Sequence, residues 1–187
     1  MNKLHFSFFT TLLALSFLIV SGTFCFAGES RPFQASLTPD VAIHDRHMMI
    51  EGLALSIWGE NPQKALALGV VNGSVGESSG FSLSLLANYA DNYKGVHWAL
   101  VNYTKADFLG WQAGFINYTE SGFKGVQTGC VNYAGHLKGV QFGLVNYASD
   151  VGSGLQLGLI NIIPRNEWFS EFPDALAKGM VLINWRF

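Results

Sequence analysis

The side chains here that could do chemistry are mostly amides, and they recur. Asparagines stand at Asn88, Asn102, Asn117, Asn132, Asn146 and Asn161, with Asn72 continuing the series upstream. Glutamines stand at Gln112, Gln127, Gln141 and Gln156, each followed two residues on by Gly114, Gly129, Gly143 or Gly158, and His97 and Ala99 take the same two places in an earlier unit. A carboxamide both donates and accepts hydrogen bonds but carries no titratable proton, so such a set can stack or line a polar surface and cannot act as general acid or base. The same residue type in every unit points to packing rather than to a site built once. His97 reads as an interior polar group with its hydrogen bonds met.

The titratable residues offer less. His44, Asp45 and His47 form the one close cluster. Histidines three apart share a face only on a helix, so metal binding would need a tight loop to bring them together, and the segment reads as a solvated loop. Ser82 and Ser84 have no identifiable base partner, and no Gly-x-Ser-x-Gly elbow occurs. Barrel enzymes of membranes, acyl hydrolases and acyltransferases, are therefore the last choice. No catalytic residue, cofactor or metal ligand is assigned.

The elements carrying these amides repeat almost word for word: Gly95-Val-His-Trp-Ala-Leu-Val-Asn102-Tyr, Gly110-Trp-Gln-Ala-Gly-Phe-Ile-Asn117-Tyr, Gly125-Val-Gln-Thr-Gly-Cys-Val-Asn132-Tyr, Gly139-Val-Gln-Phe-Gly-Leu-Val-Asn146-Tyr and Gly154-Leu-Gln-Leu-Gly-Leu-Ile-Asn161. Within a unit the pattern has period two, which an extended strand sorts onto two faces and a helix would scatter. Read as one strand, residues 137–148 put Leu137, Gly139, Gln141, Gly143, Val145 and Tyr147 on one face and Lys138, Val140, Phe142, Leu144, Asn146 and Ala148 on the other. Residues 90–92, 105–107, 120–122 and 135–136 are hairpin-sized joints of turn-forming types. Strands at 93–104, 108–119, 123–134, 137–148 and 153–163 follow, long enough to cross a membrane when tilted.

The expected fold is therefore all-β, an antiparallel up-and-down β-meander closing into a barrel of about ten strands. Its lipid face would carry Trp98, Leu100, Trp111, Phe115, Val140, Phe142, Leu144, Leu155, Leu157 and Leu159, with Lys94, Lys124 and Lys138 at the boundary. The alternative is a parallel β-solenoid with 14–15-residue coils and a stacked asparagine ladder. Constant spacing favours the solenoid, and alternation running through the unit favours the barrel.

Residues 1–27 read as a Sec signal peptide: Lys3, an apolar stretch from Phe8 to Val20, and Cys25-Phe26-Ala27 before the cleavage point. Residues 28–187 form a single β-repeat domain, and Cys130 is the one cysteine within it. With 13% charged residues and a net charge of −2 there is no basic surface for nucleic acid. Phe33 to Pro39 begins the fold as a short strand, Asp40 to His47 and Gly73 to Gly80 are loops, and the extra residue between Gly80 and Asn88 fits a bulge. Residues 165–178 hold Trp168, Phe169, Phe172 and Leu176 among acids, as a short amphipathic helix or folded loop.

The last nine residues resemble the C-terminal signal of bacterial outer-membrane β-barrels, with Phe187, Trp185, Ile183 and Val181 on one face. That resemblance implies outer-membrane lipid and the barrel-insertion machinery as partners. The repeat units, together with Phe33-Gln-Ala-Ser-Leu-Thr-Pro39 and Gly52 to Gly59, resemble bacterial surface-repeat proteins of spirochaetes and other bacteria with outer membranes. The likeness implies the cell envelope and no established biochemistry. The functional expectation is a non-enzymatic outer-membrane or cell-surface protein with a structural or surface-binding role and no known surface ligand. A small pore or a secreted solenoid binding module stand behind it.

Overall fold

The computed structural model describes residues 30–187, so the expected signal peptide lies outside the described residues. These contain no helix. The strands are β1 Ser30–Thr38, β2 Val41–Ala42, β3 Met49–Asn61, β4 Lys64–Trp98, β5 Val101–Thr104, β6 Phe108–Ala113, β7 Ile116–Ile162 and β8 Gly179–Arg186.

They wind into a parallel β-solenoid of about seven turns. The end of β4 lies in register with β6 from Tyr93 on Phe108 to Trp98 on Ala113, and β6 with β7 from Phe108 on Phe123 to Ala113 on Thr128. On the opposite face β5 pairs with β4 from Ala87 on Val101 to Ala90 on Thr104, and with β7 from Val101 on Ile116 to Thr104 on Thr119. Like residues therefore sit above like residues one coil apart, and every ladder in this body of the molecule is parallel.

The barrel expectation is thus corrected in favour of the solenoid. The joints at 105–107, 120–122 and 135–136 are corners of a coil, after which the chain climbs one layer instead of doubling back on its neighbour. The expected strands 93–104 and 108–119 break at Ala99-Leu100 and Gly114-Phe115. At that second corner two consecutive residues point outward, which flips the parity of the alternation. In the unit 137–148, Leu144 and Val145 both face out, so Gln141 and Asn146 both face in, although a single strand would have opposed them.

Coils can stack this closely because one backbone column carries no side chains. Gly80, Gly95, Gly110, Gly125 and Gly139 have φ between +123° and +143°, and a Cβ on any of them would sit 1.9–2.2 Å from a carbonyl oxygen of the coil before. No L-residue with a side chain fits there without strain.

The interior is divided. Near the corner at 105–107 and its equivalents it is apolar: Tyr93, Phe108, Phe123, Leu137 and Val151 make one column, and Ala90, Ala134, Ala148 and Ile163 pack against it. Phe108 and Phe123 stack with ring centres 5.6 Å apart. Near the other corner the interior is filled with amides.

Both ends carry a cover, which at the start reaches only Ser36 and Thr38 of the outer edge of β1. At the start, β1 lies parallel on β3 and its last residues pair with β2, while Gln34 donates to the His44 carbonyl and to Asn61 Oδ1. At the far end β8 runs antiparallel against the last coil, from Gly154 on Arg186 to Ile162 on Gly179. Covering an edge in this way removes a row of free amides that would otherwise pair with another chain. The terminal strand caps a solenoid and has no barrel to close: Val181, Ile183 and Phe187 are exposed, Trp185 is half-buried, and Asn184 is the inward residue.

One local expectation also changes: residues 73–80 belong to β4 and are not a loop, with Ser74 and Ser78 pointing inward. Of the two forms expected for residues 165–178, the structure has the folded loop, made of turns and an isolated bridge.

Candidate functional site

The amides form two ladders beneath one corner. Asn88 Nδ2 donates to Asn102 Oδ1 at 3.0 Å, Asn102 to Asn117 at 2.9 Å, and Asn117 to Asn132, Asn132 to Asn146 and Asn146 to Asn161 at 2.8 Å each. The second N–H of the middle members goes to a backbone carbonyl: Asn102 to Ala113, Asn117 to Thr128, Asn132 to Phe142, Asn146 to Leu157. The glutamine ladder runs the other way. Gln127 Nε2 donates back to Gln112 Oε1, Gln141 to Gln127 and Gln156 to Gln141, each at 2.8 Å, and the second N–H of these three goes to the carbonyls of Tyr133, Tyr147 and Ile162. All ten of these Asn and Gln side chains, from Asn88 to Asn161, are buried.

Chain geometry explains the selection. Each Asn and Gln lies inside a low-dielectric stack where an unmet amide is costly, and only the same amide one coil away can meet both its donor and its acceptor in register. The extra residue before Asn88 is accommodated by hydroxyls. Asn72 Nδ2 donates to Ser82 Oγ, and Ser82 and Ser84 each donate to Asn88 Oδ1 at 2.8 and 3.0 Å. Both serines are thus committed to the ladder and buried, which leaves neither as an exposed nucleophile.

His97 occupies a glutamine position without a glutamine's bonds. It is fully buried, both ring nitrogens lack a partner, and it sits against Tyr93 with ring centres 3.9 Å apart and edge-on to Phe108. Burial pushes its pKa down to about 3, so it is neutral at ordinary pH. Burial also raises the Tyr93 phenol, whose hydroxyl is likewise unpartnered. Tyr89, pushed up to about 12 by burial and by its bond to Glu60, ties the amino-terminal coils together: Trp58 Nε1 donates to its oxygen, and Glu60 in turn pairs with Arg46.

The loop cluster shows ordinary turn chemistry. His44 is held through its backbone by Gln34, and the Asp45 carboxylate accepts the His47 amide at 2.8 Å. Among the described residues no group of three or more His, Cys, Asp or Glu is placed to hold a metal.

Outside the amides the surface is apolar. Leu85, Leu100, Phe115, Leu144 and Leu159 form the crest of the corner, Leu86, Val101, Ile116, Val131 and Ile160 the next row, and Trp98 and Phe142 the flank; Leu85 is 70% exposed and Phe142 59%. A groove of about 690 Å³ crosses this corner between Leu83, Leu85, Trp98, Leu100, Phe115 and Cys130. All ten residues expected to face lipid are exposed or half-buried at the surface. Down the other flank runs a stack of tyrosines, Tyr103, Tyr118, Tyr133 and Tyr147, with ring centres 5.9, 4.4 and 5.4 Å apart. Sequence reasoning missed this column, although a tyrosine after each of the five asparagines from Asn88 to Asn146 was its signal. The opposite edge of the coil carries Lys105, Asp107, Glu120, His136 and Asp150 outside and aromatic or aliphatic residues inside.

Compared with known proteins, the chain matches no family profile, no curated protein and no solved structure.

Proposed function

We propose that this chain is a non-enzymatic repeat protein of the bacterial cell envelope, exported by the segment 1–27, with a structural or surface-binding role. The observation that carries the reading is the inversion at one corner, where amides are bonded to one another inside while leucine, phenylalanine and tryptophan face out. Apolar surface so placed contributes nothing to the core and loses free energy in water, which is the mark of a surface kept for contact. The interior argues against a pore as the alternative: its centre is filled with stacked side chains, and the coil encloses no lumen of the kind a wide barrel has.

The test is fractionation of the producing cells with sequencing of the mature amino terminus and protease treatment of intact cells. The expected result is a chain beginning at Gly28, recovered with the envelope and trimmed from outside. Recovery in the cytoplasm with residues 1–27 intact would overturn the placement.

A further inference from the structure

We infer that the tyrosine column on the flank is an oxidative cross-linking site: peroxide, acting through a haem peroxidase as one-electron oxidant, joins the rings of Tyr118 and Tyr133 and ties two coils together covalently. The inference goes beyond the envelope reading above and does not depend on it.

The backbone beneath the rings holds them in place. Each of the four follows a ladder asparagine, so the bonds from Asn102 to Asn117, Asn117 to Asn132 and Asn132 to Asn146 fix the register of the column one layer at a time. All four tyrosines are half-buried at the surface. Tyr118 and Tyr133 are the closest pair, at 4.4 Å between ring centres and 8° between planes, against 5.9 Å for Tyr103 with Tyr118 and 5.4 Å for Tyr133 with Tyr147. A separation of 4.4 Å is about two ring radii plus one carbon–carbon bond. Joined rings therefore tilt in place, and the coil spacing of about 4.8 Å is kept. Tyr89 supplies the contrast. It is in register with Tyr103, but Trp58 donates to its hydroxyl and the hydroxyl donates to Glu60, and the stack begins only at Tyr103.

Taking an electron from a phenol makes its proton strongly acidic, and acceptors are in place. Tyr103 donates to Glu120 Oε1, and that bond pushes its pKa up to about 12. At neutral pH this phenol is whole, and on oxidation its proton passes to the carboxylate. Tyr133 shares a hydrogen bond with Ser149 Oγ at 3.1 Å. A ring oxidised anywhere in the column draws an electron from its stacked neighbour, which carries the oxidation to the closest pair. There Tyr118 and Tyr133 each lose one electron and one proton, and a carbon–carbon bond forms between the ring positions ortho to the hydroxyls. Each joined carbon then gives up its hydrogen as a proton while the ring oxygen regains one from water, restoring both phenols. The peroxide takes up the electrons and protons lost and leaves as water.

The bond would supply what sulfur does not. Cys130 is the one cysteine among the described residues and has no disulfide partner there, whereas a link between Tyr118 and Tyr133 closes a loop in the unfolded chain as a disulfide would.

The test treats the full chain, dilute, folded and with its thiols alkylated, with hydrogen peroxide and a haem peroxidase. Trypsin then separates the column, since cuts after Lys105, Lys124 and Lys138 leave each of its tyrosines in a different peptide. The expected product runs as a monomer on a denaturing gel, shows dityrosine emission, and has peptides 106–124 and 125–138 joined with the loss of a hydrogen from each. Its urea midpoint should rise. Tyr133→Phe, which keeps a ring in the stack, should remove that linked pair and the rise in midpoint; Tyr89→Phe should leave both. The same treatment in urea should scatter links over many tyrosine pairs. A folded chain whose links are as scattered as those of the unfolded one, tyrosine-joined dimers in place of the monomer, or no dityrosine at all would overturn the inference.

Discussion

An asparagine in this core is bonded on both sides, so removing one member injures two others. Truncating Asn117 to alanine leaves one Asn102 N–H and the Asn132 Oδ1 unmet in a dry interior, and at roughly 1–3 kcal/mol for each orphan the loss should be about 2–6 kcal/mol by urea unfolding. His97 is the member with nothing to lose in this way, and it couples stability to pH. Its folded pKa of about 3 lies below its unfolded value of about 6.5. The unfolded chain therefore takes up the proton first, and the contribution of neutral His97 is whole above pH 6.5 and fades as pH falls toward 3. Between pH 7.5 and pH 5 urea unfolding should register a loss of about 2 kcal/mol from this group. His97→Gln should abolish that part and add stability, because Gln112 Nε2, now spent on Thr104 Oγ1, gains an Oε1 of its own kind one coil below.

At the scale of the strand, what decides the fold is which residues turn a corner. The period, the amide columns and the all-β class were legible in the sequence, since identical residues at 14–15-residue spacing can only stack or repeat. The corner was not, because Gly114, Gly129, Gly143 and Gly158 mark it without a proline or polar turn residue beside them, and the Phe-Ile, Cys-Val and Leu-Val that follow look like the middle of a strand. The arithmetic held the answer: each Gln precedes its Asn by five, an odd number, so two residues of one role cannot share the face of one straight strand. The capping use of residues 179–187 was illegible for another reason, as alternating apolar residues suit a barrel's last strand and a solenoid's lid alike. The glycine column gives the sharpest test at this scale. Gly125→Ala places a Cβ 1.9 Å from the Gly110 oxygen at φ +136° and should cost more than about 3 kcal/mol. Gly179→Ala, in open space and with no such φ, should stay within about 0.5 kcal/mol.

For the molecule as a whole, a coil is the unit that can be removed. Deleting residues 110–124 joins Leu109 to Gly125 with every column kept in register, and Asn132 then receives Asn102. Far-UV circular dichroism should remain that of a β protein, and the urea m-value should fall in proportion to the length lost. Deleting 110–117 alone removes half a coil, sets amides against carbon, and should yield no folded product. The two ladders bear on the same point through their opposite sense. Each bonded amide is a small dipole, and a row aligned head to tail adds up along its length as the peptides of a helix do. The asparagine row points one way and the glutamine row the other, so each coil that carries both amides adds one dipole of each sense and leaves the sum unchanged. A lineage that duplicated one 15-residue stretch would inherit a longer rod with no growing polarity at its tips, and the number of coils is free to drift among descendants.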